Sequence, residues 1–238
     1  VSSVSGAGLP ALVRFLTLLR AKTSKVKQLS DATAPVEFDV HEHLNPHGVG
    51  VVVSGLLKAG TVALNSQLLL GPDRANHFRP VAVRSIHFNR LPVAEAFAGQ
   101  FCCFHIKGLG RGKELEARDF RKGIMLLDPA LRPRGCYGFE AEVNVLHHAT
   151  TIHRGYECVL HLGVVRQTIK FLAMEREVLR TGDRSRVTVK FLFHAEFVKA
   201  GATFMLREGR TKVVGQVLRL LMDAAELPQA APQDANAR

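Results

Sequence analysis

Basic side chains that could contact phosphate groups stand in two short segments of the chain. Each segment contributes three of them: Arg84, His87 and Arg90 in the first, and Arg207, Arg210 and Lys212 in the second. Over the 238 residues, 32 lysines and arginines face 21 acidic residues, which gives a net charge of +11. Such an excess favours a polyanionic partner, usually RNA, although contacts to phosphate do not read the base sequence. The alternative is a basic protein without a polyanionic partner.

Eleven histidines invite comparison with metal sites. His41 and His43 share one face of a predicted strand, and His147, His148 and His153 are close in sequence. A zinc site usually combines such a pair with a second pair or with a carboxylate. The adjacent His147 and His148 would point to opposite sides of a strand. We therefore predict exposed strand and loop histidines, and no metal site.

The cysteines favour neither a zinc knuckle nor a disulfide scaffold. They are Cys102, Cys103, Cys136 and Cys158. None forms a C-x-x-C pair, and the adjacent Cys102 and Cys103 would lie on opposite faces of a strand. This usage predicts a reducing, cytoplasmic compartment.

Signatures of catalysis are missing from the sequence. It contains no G-x-x-x-x-G-K-[ST] loop to hold nucleotide phosphates and place Mg²⁺, and no Asn-Lys-x-Asp segment to select guanine. It also lacks the G-x-S-x-G turn of a hydrolase nucleophile. We therefore expect no independent catalysis by these residues, and the candidate chemistry is binding.

The elements that would position these side chains are strands, because the hydrophobic pattern has a period of two from Val36 onward. The predicted strands of a first series are Val36–Val40, Val51–Leu57, Leu64–Leu70, Phe78–His87, Gln100–Ile106 and Ile124–Leu127. Those of a second series are Phe139–Leu146, Glu157–Leu162, Val165–Phe171, Arg186–Phe193, Ala202–Leu206 and Lys212–Leu220. Short strands divided by turn residues indicate closed barrels rather than alternating βαβ units. We predict two antiparallel β-barrels over residues 35–130 and 136–221, with Leu131–Gly135 as the joint.

The two ends of the chain differ from this pattern. Near the start, Leu12, Phe15, Leu16 and Leu19 recur at helical spacing, and Lys22–Ser30 has the composition of a linker. The segment 1–30 thus resembles a fragment of an α/β domain and the interior of a longer chain, not a secretion signal. Residues 222–238 are predicted to be a disordered tail. No apolar run reaches the roughly 20 residues that span a bilayer, so no membrane association is expected.

Glycine-punctuated segments in a fixed order carry a resemblance to a known family. They are His47–Gly55, Pro80–His87 with Ala98–Gln100, Asp119–Met125, Phe139–Val143, Leu179–Asp183 and Arg207–Gly215. Together they resemble the second and third domains of translational GTPases of the elongation factor Tu and elongation factor 1-alpha type, over about Val1 to Leu221. Leu146–Ile152 and Ser85–His87 point to the GTP-binding protein 1 and 2 branch, although Ala149 stands where that branch commonly has proline.

The resemblance implies a domain II barrel and a domain III barrel behind the last strand, loop and helix of a G domain. GTP and Mg²⁺ would then be cofactors of the full-length parent, which would be a GTPase, and this chain alone would bind neither. Val1–Leu9 resembles the fifth G motif, which implies guanine contacts for Ser2, Ser3 and Val4. The alternative for that segment is an ordinary Ser-Gly loop before a helix.

The resemblance also implies partners. In such relatives domain II takes the aminoacyl end of tRNA and domain III contacts its stem. This places a terminal-nucleotide pocket near Arg84–Arg90 with Gln100 and Phe101, in a protein that binds tRNA and the ribosome and docks its own G domain. Phe101 could instead be core, and Arg207 could instead pair with acidic neighbours across the joint. At the level of function, the alternatives are a stand-alone double-barrel module that binds RNA or protein, and a GTPase of RNA turnover or ribosome rescue.

Overall fold

A computed structural model describes residues 1–19, 33–110, 115–116 and 119–228 of the chain. Within these ranges the chain is mainly β, with two closed antiparallel barrels that follow a short helix, α1 (Leu9–Leu18). The prediction of two consecutive barrels is therefore confirmed. The predicted linker Lys22–Ser30 and residues 229–238 of the predicted tail lie outside the described ranges.

The first barrel spans Glu37 to Leu127. Its described strands are β1 (Glu37–Leu44), β2 (Val52–Ala59), β3 (Thr61–Ala63), β4 (Gln67–Gly71), β5 (Arg79–Phe88), β6 (Leu91–Val93), β7 (Glu95–Phe97), β8 (Phe101–Gly108) and β9 (Met125–Leu127). The ring runs β4-β9-β1-β2-β8-β5 and returns to β4, while β6 extends β5 as a hairpin and β3 pairs with β7. This closure leaves few strand edges open for intermolecular pairing.

The second barrel spans Gly138 to Leu221. Its described strands are β10 (Gly138–His147), β11 (Ile152–His153), β12 (Glu157–Leu162), β13 (Val165–Met174), β14 (Val178–Leu179), β15 (Arg184–Phe191), β16 (Thr203–Glu208) and β17 (Thr211–Leu221). The ring runs β10-β15-β13-β12-β16-β17 and closes between β17 and β10. Behind it, a 3-10 turn at Ala224–Glu226 brings Leu227 against Gly138.

Each barrel is filled by the inward-facing side chains of its strands, and aromatic rings occupy the centre. In the first core the rings of Phe38 and Phe104 lie 4.5 Å apart between centroids, tilted by 37°. In the second core Phe139 meets Phe191 at 5.8 Å and Phe204 at 5.4 Å, both edge to face. Full burial of such a ring stabilises the fold by about 1.5–3 kcal/mol.

The barrels are held together by a buried ion pair at the barrel joint. Arg121, which lies in the loop between β8 and β9 of the first barrel, donates through Nη1 to both carboxylate oxygens of Glu196 at 2.8 Å. Its other groups donate to the carbonyls of Pro72 at 3.1 Å and Ala195 at 2.9 Å. Glu196 also accepts from Gln167 Nε2 at 2.6 Å. Every charged oxygen and most guanidinium donors at this joint are therefore satisfied within the protein.

Two further contacts cross the barrel joint. The Asn76 amide donates to the Gly135 carbonyl at 3.1 Å and accepts from the Gly135 N–H at 3.0 Å. Lys199 of the second barrel forms an ion pair with Glu37 of the first. Because these contacts are directional, they fix one barrel against the other at three separate points.

The N-terminal segment contains the predicted helix but not the predicted strand. Residues 1–8 form turns, in which the Ser2 N–H donates to the Ala7 carbonyl at 2.9 Å and the Gly6 N–H to the Ser2 carbonyl at 3.1 Å. A strand needs a neighbouring strand for its backbone groups, and none of the described strands pairs with this segment. In α1, Pro10 stands in the first turn, and the apolar stripe with Phe15 faces solvent.

Candidate nucleic-acid interface

The antiparallel pair β5 and β8 brings two of the predicted residues, His87 and Phe101, to one end of the first barrel. His87 lies opposite Cys103, which is two residues from Phe101 on the outer face of β8. Phe101 is not a core residue, because 53% of it is exposed and its ring meets His41 edge to face at 5.5 Å. Diagonal neighbours of this kind lie about 7–8 Å apart, within reach of one ligand.

Arg90 reaches the same end of the barrel through a tight turn. Asn89 and Arg90 have φ angles of 50° and 66°, and they connect Phe88 to its partner Leu91 as a two-residue hairpin. Such turns match the twist of the strands and project their central side chains into solvent. His87, Arg90 and Phe101 form what we call the first-barrel cluster: a cation, an imidazole and an exposed ring.

Gln100 and Arg84 have partners of their own. The Gln100 Oε1 accepts the Phe97 N–H at 2.9 Å, so this side chain closes the turn before β8. Arg84 lies at a bulge of β5 and donates to Asn65 Oδ1 at 2.9 Å, on the turn between β3 and β4. The structure therefore places Gln100 beside the first-barrel cluster in a supporting position, and it directs Arg84 away from the cluster.

The second-barrel cluster consists of Arg207, Arg210 and Lys212 on the β16–β17 hairpin. Arg207 and Lys212 are directly opposite each other across the hairpin, and Arg210 occupies its turn after Gly209, which has a φ of 54°. In the described part of the chain neither member of this cation pair has an acidic partner. The pairing with acidic neighbours that the sequence left open is thus not formed.

The positive charge continues from the hairpin across the outer face of the second barrel. His161 on β12 is opposite both Met205 of β16 and Arg166 of β13. Partial burial lowers the pKa of His161, and the neighbouring charges of Arg166 and Arg207 lower it further. Arg166 was not a predicted site residue: the β12–β13 hairpin places it beside His161, but the basic β16–β17 hairpin joins this face only through the pairing of β12 with β16.

Phe193 is a second residue that sequence reasoning missed. It was assigned to the end of a strand, yet it follows β15 and 67% of it is exposed. Its ring lies 6.3 Å from that of His194. Nothing in the local pattern distinguishes this phenylalanine from a core residue, since the preceding residues alternate as a strand does.

Some polar groups in the turn that holds Ser2, Ser3 and Val4 form hydrogen bonds within the turn itself. The Ser2 hydroxyl accepts the Ser5 N–H at 3.2 Å, and Val4 is fully exposed. This geometry agrees with an ordinary Ser-Gly loop as well as with a nucleotide loop. The guanine contact therefore stays a prediction.

The histidines and cysteines have partners or surroundings that do not include a metal site. The described residues contain no group of three or more His, Cys, Asp or Glu side chains that could hold a metal ion. His43 stacks on Phe120 at 4.8 Å, and His148 Nδ1 lies 2.8 Å from the Thr211 hydroxyl. All four cysteines are free thiols. Burial raises the pKa to about 12 in three of them: Cys102, Cys136 and Cys158.

A membrane-spanning helix is not found in the described ranges, since none of their helices has the length and apolar composition to cross a bilayer.

Comparison with known proteins relates the chain to GTP-binding proteins and elongation factors. It is 40% identical over 228 residues to GTP-binding protein 1 of Xenopus laevis, covering 96% of this chain and 33% of that protein. It is 36% identical over 218 residues to GTP-binding protein 2 of Homo sapiens, covering 91% and 35% respectively. Elongation factor 1-alpha of Thermococcus kodakarensis is 24% identical over 205 residues, covering 84% and 46%. The chain thus spans about a third of the length of the GTP-binding proteins that it matches. No protein-family model matches it.

Proposed function

Because the chain is related to the translational GTPases, we propose that its two barrels form the RNA-facing part of an elongation-factor-like GTPase and bind aminoacyl-tRNA and the ribosome. The observation that carries this proposal is the cation pair of Arg207 and Lys212. Like charges directly opposite each other on a hairpin destabilise it, and an anionic ligand between them would remove that repulsion. Phosphate groups supply that anion through charge-assisted hydrogen bonds.

The first-barrel cluster supports the same proposal with a different chemistry. The exposed ring of Phe101 offers a stacking surface for an unpaired base, and His87 and Arg90 supply hydrogen bonds to ribose and phosphate. A terminal nucleotide is suited to this site, because its base is free on one side. In this proposal the first-barrel cluster binds the terminal nucleotide of the RNA, and the second-barrel cluster binds the phosphate backbone of its stem.

The sequence has no phosphate-binding loop to hold the phosphates of GTP and to place Mg²⁺. We therefore assign both cofactors, and GTP hydrolysis, to a G domain of the full-length protein and derive no hydrolysis step from these residues.

A groove of about 570 Å³ on the outer face of the second barrel is our candidate docking surface for that G domain. Val214 and Met205 line it together with the polar side chains of His161 and Arg184. An apolar centre with a polar rim is the usual anatomy of a protein interface. The nucleotide state would then set whether the G domain covers this groove, as a two-state switch biased by its ligand.

The test is tRNA binding by the purified chain, measured by fluorescence anisotropy at several salt concentrations. We expect the logarithm of the binding constant to fall steeply with the logarithm of salt between about 50 and 200 mM. The double substitution Arg207→Gln with Lys212→Gln removes two phosphate contacts and should reduce that slope by roughly 1.4–1.8. The control, Arg186→Gln with Arg219→Gln, removes two cations that already pair with Glu175 and Glu140, and it should leave the slope close to its original value.

Binding that hardly changes with salt would contradict the proposal, and so would equal effects of the two double variants. The competing possibility, a double-barrel module for a protein partner, predicts no saturable tRNA binding at any salt concentration.

A further inference from the structure

A second groove lies at the barrel joint and borders the second-barrel cluster, because Val159, one of its lining residues, lies opposite Arg207. It has a volume of about 330 Å³, at the lower end of the range for ligand sites. Residues of both barrels line it, among them Lys122 from the first barrel, and Arg166, Thr168, Phe193 and His194 from the second. Its shape therefore depends on how the barrels are joined.

The Phe193 ring stands at this groove in a fixed, exposed position. Gln167, whose side chain is buried, accepts the backbone N–H groups of Phe193 and His194 through Oε1, both at 2.8 Å. The Gln167 amide also donates to the His194 carbonyl at 3.2 Å and to Glu196 at 2.6 Å. The loop is thus clamped to the joint, so the exposure of the ring is built into the fold and does not result from a loosely held loop.

The charges around the ring are positive. Lys122 and Arg166 are exposed, and in the described part of the chain neither side chain forms an ion pair. The carboxylate that lines the groove, Glu196, is paired with Arg121, whose Nη1 donates to both of its oxygens. Burial lowers the pKa of His194, and the charges of Arg121 and Arg74 lower it further, which agrees with a positive field at this point.

An exposed aromatic ring between unpaired cations has the chemistry to hold a nucleotide whose base is not paired. The ring stacks on the base, which any base permits, and the cations neutralise the flanking phosphates. A regular RNA duplex cannot use the ring in this way, because its bases are stacked inside the helix. We propose that the groove around Phe193 binds a single-stranded or flipped-out nucleotide of an RNA, in addition to the sites of the two clusters. The proposal rests on the RNA binding proposed above, and it adds that one nucleotide of the bound RNA is unpaired.

The chain contains no tryptophan, so Phe193→Trp introduces a single fluorescent reporter that keeps an aromatic ring at the groove. This variant is titrated with three probes of equal phosphate number: a short oligouridylate, the same backbone without bases, and a duplex RNA. We expect the oligouridylate to quench the tryptophan emission through stacking, and the other two probes to leave it nearly unchanged. Leu218→Trp, a half-exposed position on a different face, is the matched control and should respond to none of them.

A second variant measures affinity without a reporter. Phe193→Ala should weaken oligouridylate binding by about 5- to 160-fold, which is the range that loss of one stacked base supplies, and should leave duplex binding nearly unchanged. Circular dichroism melting of each variant identifies any loss of fold. Equal quenching by all three probes, or undiminished oligouridylate binding in Phe193→Ala, would overturn the inference while the RNA-binding function stands. Absence of binding to all of the RNAs would overturn both.

Discussion

Breaking the buried ion pair at the barrel joint should be among the most damaging single substitutions of a charged residue in this protein. Arg121 and Glu196 are both desolvated, since their side chains are 9% and 1% exposed. Arg121→Met removes the guanidinium and leaves the Glu196 carboxylate buried, with only the Gln167 amide as a partner. Leaving one charge of a buried pair without its partner costs about 3–5 kcal/mol in the free energy of unfolding.

The size of this loss should depend on pH. Burial raises the pKa of the Glu196 carboxyl above its ordinary value of 4.5, and Arg121 opposes that rise. A carboxyl with a raised pKa binds its proton more tightly in the folded state, so stability increases as the pH falls from the folded-state pKa towards 4.5. Without Arg121 the pKa of Glu196 rises further, so the pH range over which protonation of Glu196 stabilises the folded state becomes wider. The free energy of unfolding of Arg121→Met should therefore be closest to that of the original protein at acid pH, and the difference should grow as the pH rises.

The assay is urea denaturation followed by circular dichroism at two pH values, one near 5 and one near 7.5. Lys170→Met is the matched control: it removes a cation from a partly exposed pair with Glu157 at 3.1 Å, and it should cost under about 1 kcal/mol. Arg121→Met combined with Glu196→Gln removes both charges and should recover a large part of the lost stability. The reasoning fails if Arg121→Met costs no more than the control, or if its cost is the same at both pH values.

Three further substitutions or measurements test other parts of the structure. Gly55→Ala should prevent folding of the first barrel, because a Cβ there would lie 1.9 Å from the backbone carbonyl oxygen of Asp39; a melting curve with a normal amplitude would contradict this. Gln167→Ala should release the clamped loop, seen as faster hydrogen exchange of the Phe193 amide, while amides in the first core keep their protection. Among the thiols, only the partly exposed Cys103 should react promptly with a thiol reagent at neutral pH, whereas three others should react after unfolding: Cys102, Cys136 and Cys158.

The sequence predicted the barrel architecture well because the signal for it is local. A strand that is buried on one face, such as β8, alternates from Phe101 to Lys107 without interruption, and glycine or asparagine turns mark its ends. The short strands β3, β6, β7, β11 and β14 were not predicted. Each has only two or three residues, which is too few for a period to be visible.

The candidate sites were predicted less completely, since they depend on contacts between residues distant in sequence. Arg121 and Glu196 are 75 residues apart, and no pattern near either residue marks it as one half of a buried pair. Phe193 looks like a strand residue until the position of Gln167, 26 residues earlier, is known. By contrast, Arg207 and Lys212 were found because a hairpin turn places them together within six residues of chain.

Loss of the ion pair at the barrel joint should therefore also remove nucleotide binding at the groove around Phe193. The guanidinium of Arg121 is occupied by protein acceptors, so the residue has little left to offer an RNA directly. Yet Glu196, its partner, is also bonded to the amide that clamps the Phe193 loop. In Arg121→Met, under conditions in which the chain is still folded, the Phe193→Trp reporter should lose most of its quenching by oligouridylate. Binding through Arg207 and Lys212, read from the salt dependence with duplex RNA, should persist, since that hairpin lies within one barrel. Equal loss of both signals would mean that Arg121 acts through general stability and not through the groove.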